Sequence, residues 1–182
     1  TLSTSSAASD VYKRQTLVYA SWTENKKLAA KEINHTFKEI DKLFYDDGYI
    51  NNNSFRGVRG QWYHSYGVDI ALGYVYIAKL WGATVPKHIQ NKLINSAKLV
   101  NLAITDEEKF LSRKFSGDNR NKITDPKKAT PHTHQMAIAI DTLMEIVVGI
   151  ELEHDPIYLS KRKMHIPDGT DDLIGFNPNC IH

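Results

Sequence analysis

Ser54-Phe55-Arg56-Gly57-Val58-Arg59-Gly60-Gln61-Trp62-Tyr63-His64-Ser65-Tyr66-Gly67 is the segment whose reading decides the fold. It follows a polar turn, Asp46-Asp47-Gly48, and a run of asparagines, Asn51-Asn52-Asn53. It opens a long apolar-faced stretch from about Gly60 to Trp81. If helical geometry begins near Arg59, seven residues at about 100° each return to within about 20° of the start. Arg59 and Tyr66 then share a face, with Tyr63 between them. A guanidinium beside a phenol favours the phenolate, which makes Tyr66 a candidate proton shuttle. His64 lies about 200° from Tyr66 on the same helix and points elsewhere, which suits a neutral histidine hydrogen-bonded between helices.

Outward from this segment the pattern stays helical. Leu28, Ile33, Phe37, Ile40 and Phe44 follow a helical rhythm between Glu24 and Tyr45, with Lys and Glu on the other side. Gly82 is placed to cap the Gly60–Trp81 helix, and Pro86 to open the next, which carries Ile89, Leu93, Ile94, Ala97 and Val100. Thr105 to Thr130 reads as one long basic loop with Arg113, Lys114, Arg120, Lys122, Lys127 and Lys128. Thr130-Pro131 then starts a segment, His132 to Gly149, that is apolar nearly all round and so predicts an inner helix. No alternating strand pattern exceeds a few residues. The class is all-α, built from antiparallel helical hairpins.

Composition narrows the function classes. Among 182 residues, 23 Lys+Arg face 21 Asp+Glu, a formal charge of +2 that is too small for a general nucleic-acid-binding field. The apolar stretches are broken by charged residues well short of a membrane span. One cysteine, Cys180, excludes an internal disulfide and a cysteine zinc site. Residues 1–15 read as non-native: a Ser/Thr/Ala string is followed by Asp10-Val11-Tyr12-Lys13-Arg14-Gln15, which resembles one frame of a sequencing-library adaptor. Residues 16–182 are then the protein proper.

The pattern Arg-x-x-x-Tyr-His-x-Tyr after an acidic-Gly turn, running into an apolar helix, resembles the core motif of the alginate lyase family. The resemblance covers roughly Val18 to Val85. It implies an incomplete α/α toroid, of which this chain is a fragment, and a periplasmic or secreted enzyme acting on an anionic polysaccharide by β-elimination. By the same resemblance Tyr66 is the acid/base and Arg59 its activator and carboxylate partner, with His64 a further catalytic candidate. Tyr63, Arg56 and Gln61 are substrate contacts. The family's Asn-Asn-His motif, which helps neutralise the substrate carboxylate, has no counterpart upstream, and Asn51-Asn52-Asn53 falls on the wrong side of the matched region. The fragment alone is therefore expected to turn over poorly.

The chemistry explains why such residues are needed. A C5 proton beside a carboxylate is hardly acidic until that carboxylate is neutralised by cations or amide donors. A tyrosine can then serve as base for C5 and acid for O4 when both lie on one side of the ring. Protein groups supply all of this, so neither metal nor organic cofactor is expected. His132 and His134 stand at i, i+2, a spacing that splays ligands apart. Asp168-Gly169 and Asp171-Asp172 lack the ligand alternation of a calcium loop.

Three other readings stay open. A glycoside hydrolase on a similar toroid needs two carboxylates, and Asp46, Asp47, Asp69 and Asp141 are the candidates. A non-catalytic helical glycan-binding or interaction module needs none. Tyr63, Tyr66, Ile70, Tyr74, Ile77 and Trp81 also form an ordinary core stripe.

Overall fold

The computed structural model describes residues 16–51, 53–56, 59–113, 131–154 and 156, with backbone alone for 131–136 and 138. The chain is all-α: α1 over residues 16–22, α2 Lys26–Leu43, α3 Gly60–Leu80, α4 Lys87–Thr105, α5 Glu107–Leu111 and α6 Pro131–Val148. Among the described residues the only extended pairing is an isolated bridge between Phe44 and Ile50. The adaptor-like segment, the basic residues from Lys114 to Lys128, Thr130, the acidic pairs at 168–172 and Cys180 lie outside the described residues, as do the side chains of His132 and His134. No described helix is long and apolar enough to cross a membrane.

The helix ends have local causes. Glu24 takes a left-handed φ of +52°, so α2 starts after it, with the Asn25 side chain accepting the Leu28 N–H at 3.0 Å. At its other end Phe44 is extended and pairs with Ile50, which stops α2 before the Asp46-Asp47-Gly48 turn. Gly82 and Gly149 follow α3 and α6 at φ +77° and +73°, the left-handed exits that terminate helices. Helix α5 departs from the expected single loop. Asp106 caps it by accepting the Lys109 N–H at 3.0 Å, and Phe110, only 1% exposed, drives it into the core.

Helix α3 is the central element, packed by α2, α4, α5 and α6. Its buried residues lie all round it, from Gly60 and His64 through Val68–Val75 to Ala78, so it has no solvent stripe over most of its length. Helix α6 buries Ala137, Ile140, Leu143, Met144 and Val147 in the same core, as its apolar pattern predicts. Lys79 near the end of α3 donates to the Ile146 and Val147 carbonyls at 2.9 and 3.0 Å, capping the end of α6. Beyond Gly149 the chain folds back: His154 Nε2 lies 3.0 Å from Asp141, and its Nδ1 meets the Asn101 amide at 3.2 Å.

The described residues between α2 and α3 are tied to α4 and α5. Gly48, at φ +93°, sits so close to α4 that an added Cβ would lie 2.5–2.7 Å from the backbone of Asn95 and Ser96. Ser96 Oγ donates to the Gly48 carbonyl at 2.6 Å, and the Asn95 amide donates to Asp46 O at 2.8 Å. Tyr49 stacks between Phe55 and Phe110 at 5.7 and 5.4 Å and donates its hydroxyl to Phe110 O at 2.9 Å. Arg113 closes this cluster, its guanidinium 4.8–5.3 Å from the Tyr45, Tyr49 and Phe55 rings and 2.6 Å from Asp47. Burial pushes the Tyr49 phenol up, with Arg113 pulling it down and Asp47 adding to the rise.

Candidate functional site

An open cleft runs between α2, the α2–α3 loop and the first half of α3, with about 760 Å³ of space continuous with solvent. Ile40, Leu43, Phe44, Ile50, Ile70 and Ala71 supply its apolar surface. The polar groups come from three elements: His35, Thr36 and Glu39 from α2, Asn53 and Arg56 from the loop, Tyr63, Tyr66 and Tyr74 from α3.

Three of the residues singled out from sequence meet here. Tyr66, Tyr63 and Arg56 all line the cleft and are half-buried. The Arg56 guanidinium lies 4.0 Å from the centroid of the Tyr63 ring, so one face of that ring is taken by a cation rather than left for a sugar. Trp62 contacts both tyrosines, edge-on to Tyr63 at 4.7 Å and tilted to Tyr66 at 5.7 Å. The core-stripe reading also describes this helix, since Ile70, Tyr74 and Ala78 are buried with Tyr66, Ile77 and Trp81 packed against them. The stripe is core along its length and cleft wall at its start.

The other three are placed elsewhere. Arg59 is exposed, precedes the first helical residue and is not among the residues lining the cleft. Its ψ of −3° and its N–H bond to the Arg56 carbonyl at 3.3 Å belong to a tight turn, so the seven-residue helical count to Tyr66 does not reach back to it. Gln61, 3% exposed, is buried outside the cleft. His64 is fully buried between the α2–α3 loop and α4.

The network around His64 defines its state. Ser54 Oγ accepts the Ile50 N–H at 2.7 Å, which leaves the Ser54 hydroxyl to donate to His64 Nδ1 at 2.8 Å. Nε2–H then donates to the Ser96 carbonyl at 2.9 Å, a tautomer assigned by the network. Complete burial pulls the His64 pKa down to about 4 against the smaller opposing pull of the Ser96 carbonyl. A neutral imidazole with both nitrogens engaged joins loop to helix rather than reaching substrate.

The carboxylates also sort themselves. Glu39 is the one described carboxylate in the cleft lining. Asp46 lies 3.8 Å from Lys92, Asp47 pairs with Arg113, Asp141 meets His154, and Asp69 is buried inside α3. Among the described residues the cleft therefore shows one carboxylate, where a glycoside hydrolase needs two flanking the scissile bond. Nor do three His, Cys, Asp or Glu side chains group to hold a metal ion among the described residues.

Sequence reasoning missed His35, Glu39 and Asn53. His35 and Glu39 share a helix face at i, i+4 beside the apolar stripe, a signal present in the sequence. Asn53 has no local signal, because only the folded loop brings it to the cleft. Comparison with protein-family models, curated proteins and solved structures finds no match to this chain.

Proposed function

We propose that this chain carries the cleft of a polysaccharide lyase that cleaves uronic-acid polymers, mannuronate-rich alginate above all, by β-elimination on an incomplete α/α toroid. The observation that carries the reading is the sharing of one open cleft by Tyr66, Tyr63 and Arg56. In this scheme the Tyr66 phenolate removes the C5 proton. The C–H electron pair becomes the C4=C5 double bond, the C4–O4 bond breaks, and O4 takes its proton from Tyr66. Arg56 supplies positive charge for the substrate carboxylate and for the phenolate, the role that the linear motif suggested for Arg59. Tyr63, with Arg56 on one face, shapes the wall.

The apolar lining favours a second reading, a non-catalytic glycan-binding module whose cleft packs against sugar C–H faces. One assay separates the two. The 182-residue chain and an upstream-extended chain are incubated with mannuronate-rich, guluronate-rich and glucuronate polymers, and the absorbance of the unsaturated uronate end is followed. The lyase reading expects product from the extended chain, little from the short one, and a loss of about 100-fold or more in Tyr66→Phe. Chelators leave the rate unchanged. Binding without product supports the module, and a Tyr66→Phe enzyme as fast as wild type overturns the proposed chemistry.

A further inference from the structure

We propose that Glu39 takes the hydroxyl edge of the bound sugar and so fixes which way round a ring lies in the cleft, an inference that rests on the polyuronate reading. Glu39 is the one described carboxylate lining the cleft. In the wall of a polyanion site a carboxylate repels the ligand's charges, so it discriminates between ways of seating that ligand. A carboxylate accepts hydrogen bonds and donates none, so what it binds must be a donor. The ionised carboxylate of a uronate offers none. In a 1,4-linked uronan the donors left on each ring are the hydroxyls at C2 and C3, on the edge opposite the C5 carboxylate. Two adjacent hydroxyls match the two oxygens of one Glu side chain.

The setting of Glu39 fits that contact. It is half-buried, with Ile40 and Leu43 beside it in the lining, and it makes neither hydrogen bond nor ion pair with a described residue. Its helix neighbours Lys38 and Lys42 are exposed and do not pair with it. Partly withdrawn from water and unmatched by the protein, its oxygens are satisfied when ligand hydroxyls replace that water with charge-assisted O–H···O bonds. His35, one turn earlier on the same face, and Thr36 complete the polar part of the α2 wall. The guanidinium of the lining stands on a different element, since Arg56 belongs to the α2–α3 loop and lies over Tyr63. Glu39 and Arg56 do not pair with each other, so the cleft keeps a negative charge on α2 and a positive one on the loop. A ring with its carboxylate toward α2 meets Glu39 and leaves Arg56 unused, whereas the reverse orientation suits both.

The test reads binding rather than turnover. Trp62, in contact with Tyr63 and Tyr66, gives a fluorescence signal for cleft occupancy. The full chain, Glu39→Gln and Glu39→Ala are each titrated with three probes. One is a mannuronate tetrasaccharide. The second carries fluorine in place of the 2- and 3-hydroxyls, which nearly keeps their size and removes their donors, and the third is carboxyl-reduced and neutral. Gln and Ala are both good helix formers, so the variants keep α2. The expected result is about ten- to hundred-fold weaker binding of the unmodified probe by both variants, the range for lost hydrogen bonds to a charged group. The fluorinated probe, already weak on wild type, is bound no more weakly by them. A carboxylate that merely repels a polyanion acts the other way: its removal tightens both charged probes. That result, or unchanged affinity in both variants, overturns the proposal and leaves the polyuronate reading standing. Equal weakening for the hydroxylated and fluorinated probes makes Glu39 a shaping residue and overturns it too. If wild type binds no probe, or holds the reduced one as tightly as the charged one, the polyuronate reading fails and the assignment of Glu39 fails with it.

Discussion

Acid should loosen this protein at one identifiable residue. His64 is held neutral by full burial and by two hydrogen bonds, and its pKa falls from an ordinary 6.5 to about 4. The unfolded chain takes up a proton at this position near pH 6.5, whereas the folded chain resists until about pH 4. Between those values the unfolded state binds more protons, so stability rises with pH across the window. The contribution is fully present above about pH 6.5 and is lost as pH falls toward 4. At about 1.4 kcal/mol per pKa unit the shift corresponds to about 3 kcal/mol, a large part of the roughly 5–15 kcal/mol that holds a domain folded. Other groups also titrate there, so the informative quantity is a difference between two proteins. His64→Gln removes the titration and leaves Ser54 or Ser96 imperfectly paired, at a cost of about 2–4 kcal/mol at pH 7. Urea unfolding at pH 7, 6, 5 and 4 should show the gap between wild type and variant closing by about 3 kcal/mol toward acid. A gap that stays constant over that range would refute the buried, neutral assignment of His64.

Other substitutions test the parts that position the cleft. Gly48→Ala forces a Cβ against the α4 backbone at a left-handed φ, and a loss of about 3 kcal/mol or more is expected in the same urea experiment. Gly67→Ala meets only the ends of two side chains and gains about 0.5–1 kcal/mol of helix preference, so stability should stay within about 1 kcal/mol of wild type. Arg113→Ala removes a cation from beside three rings and should cost about 1 kcal/mol in thermal unfolding. Asp47→Asn, which removes only the half-exposed ion pair, should cost less.

Much of the fold could be read from the chain because its causes are local. The period of Ile33, Phe37 and Ile40, the glycines at 82 and 149 and the proline at 86 act within a few residues of themselves, and the helices start and stop close to where these place them. The neutral, inter-helical state suggested for His64 was legible too, since its angle from Tyr66 turns it away from the cleft. The existence of α5 was not, because it depends on the burial of Phe110 against residues distant in the chain. The cleft divides in the same way. Tyr63 and Tyr66 follow from helical spacing, which is a property of the sequence alone. Which arginine joins them was decided by tertiary structure: Arg59 falls in a turn before the helix, whereas the loop pinned by Gly48, Ser54 and Tyr49 carries Arg56 and Asn53 into the cleft. A loop residue has no period to announce its direction. Its side chain points wherever the contacts of its anchors send it, and here those anchors lie on α4 and α5, more than forty residues farther along the chain.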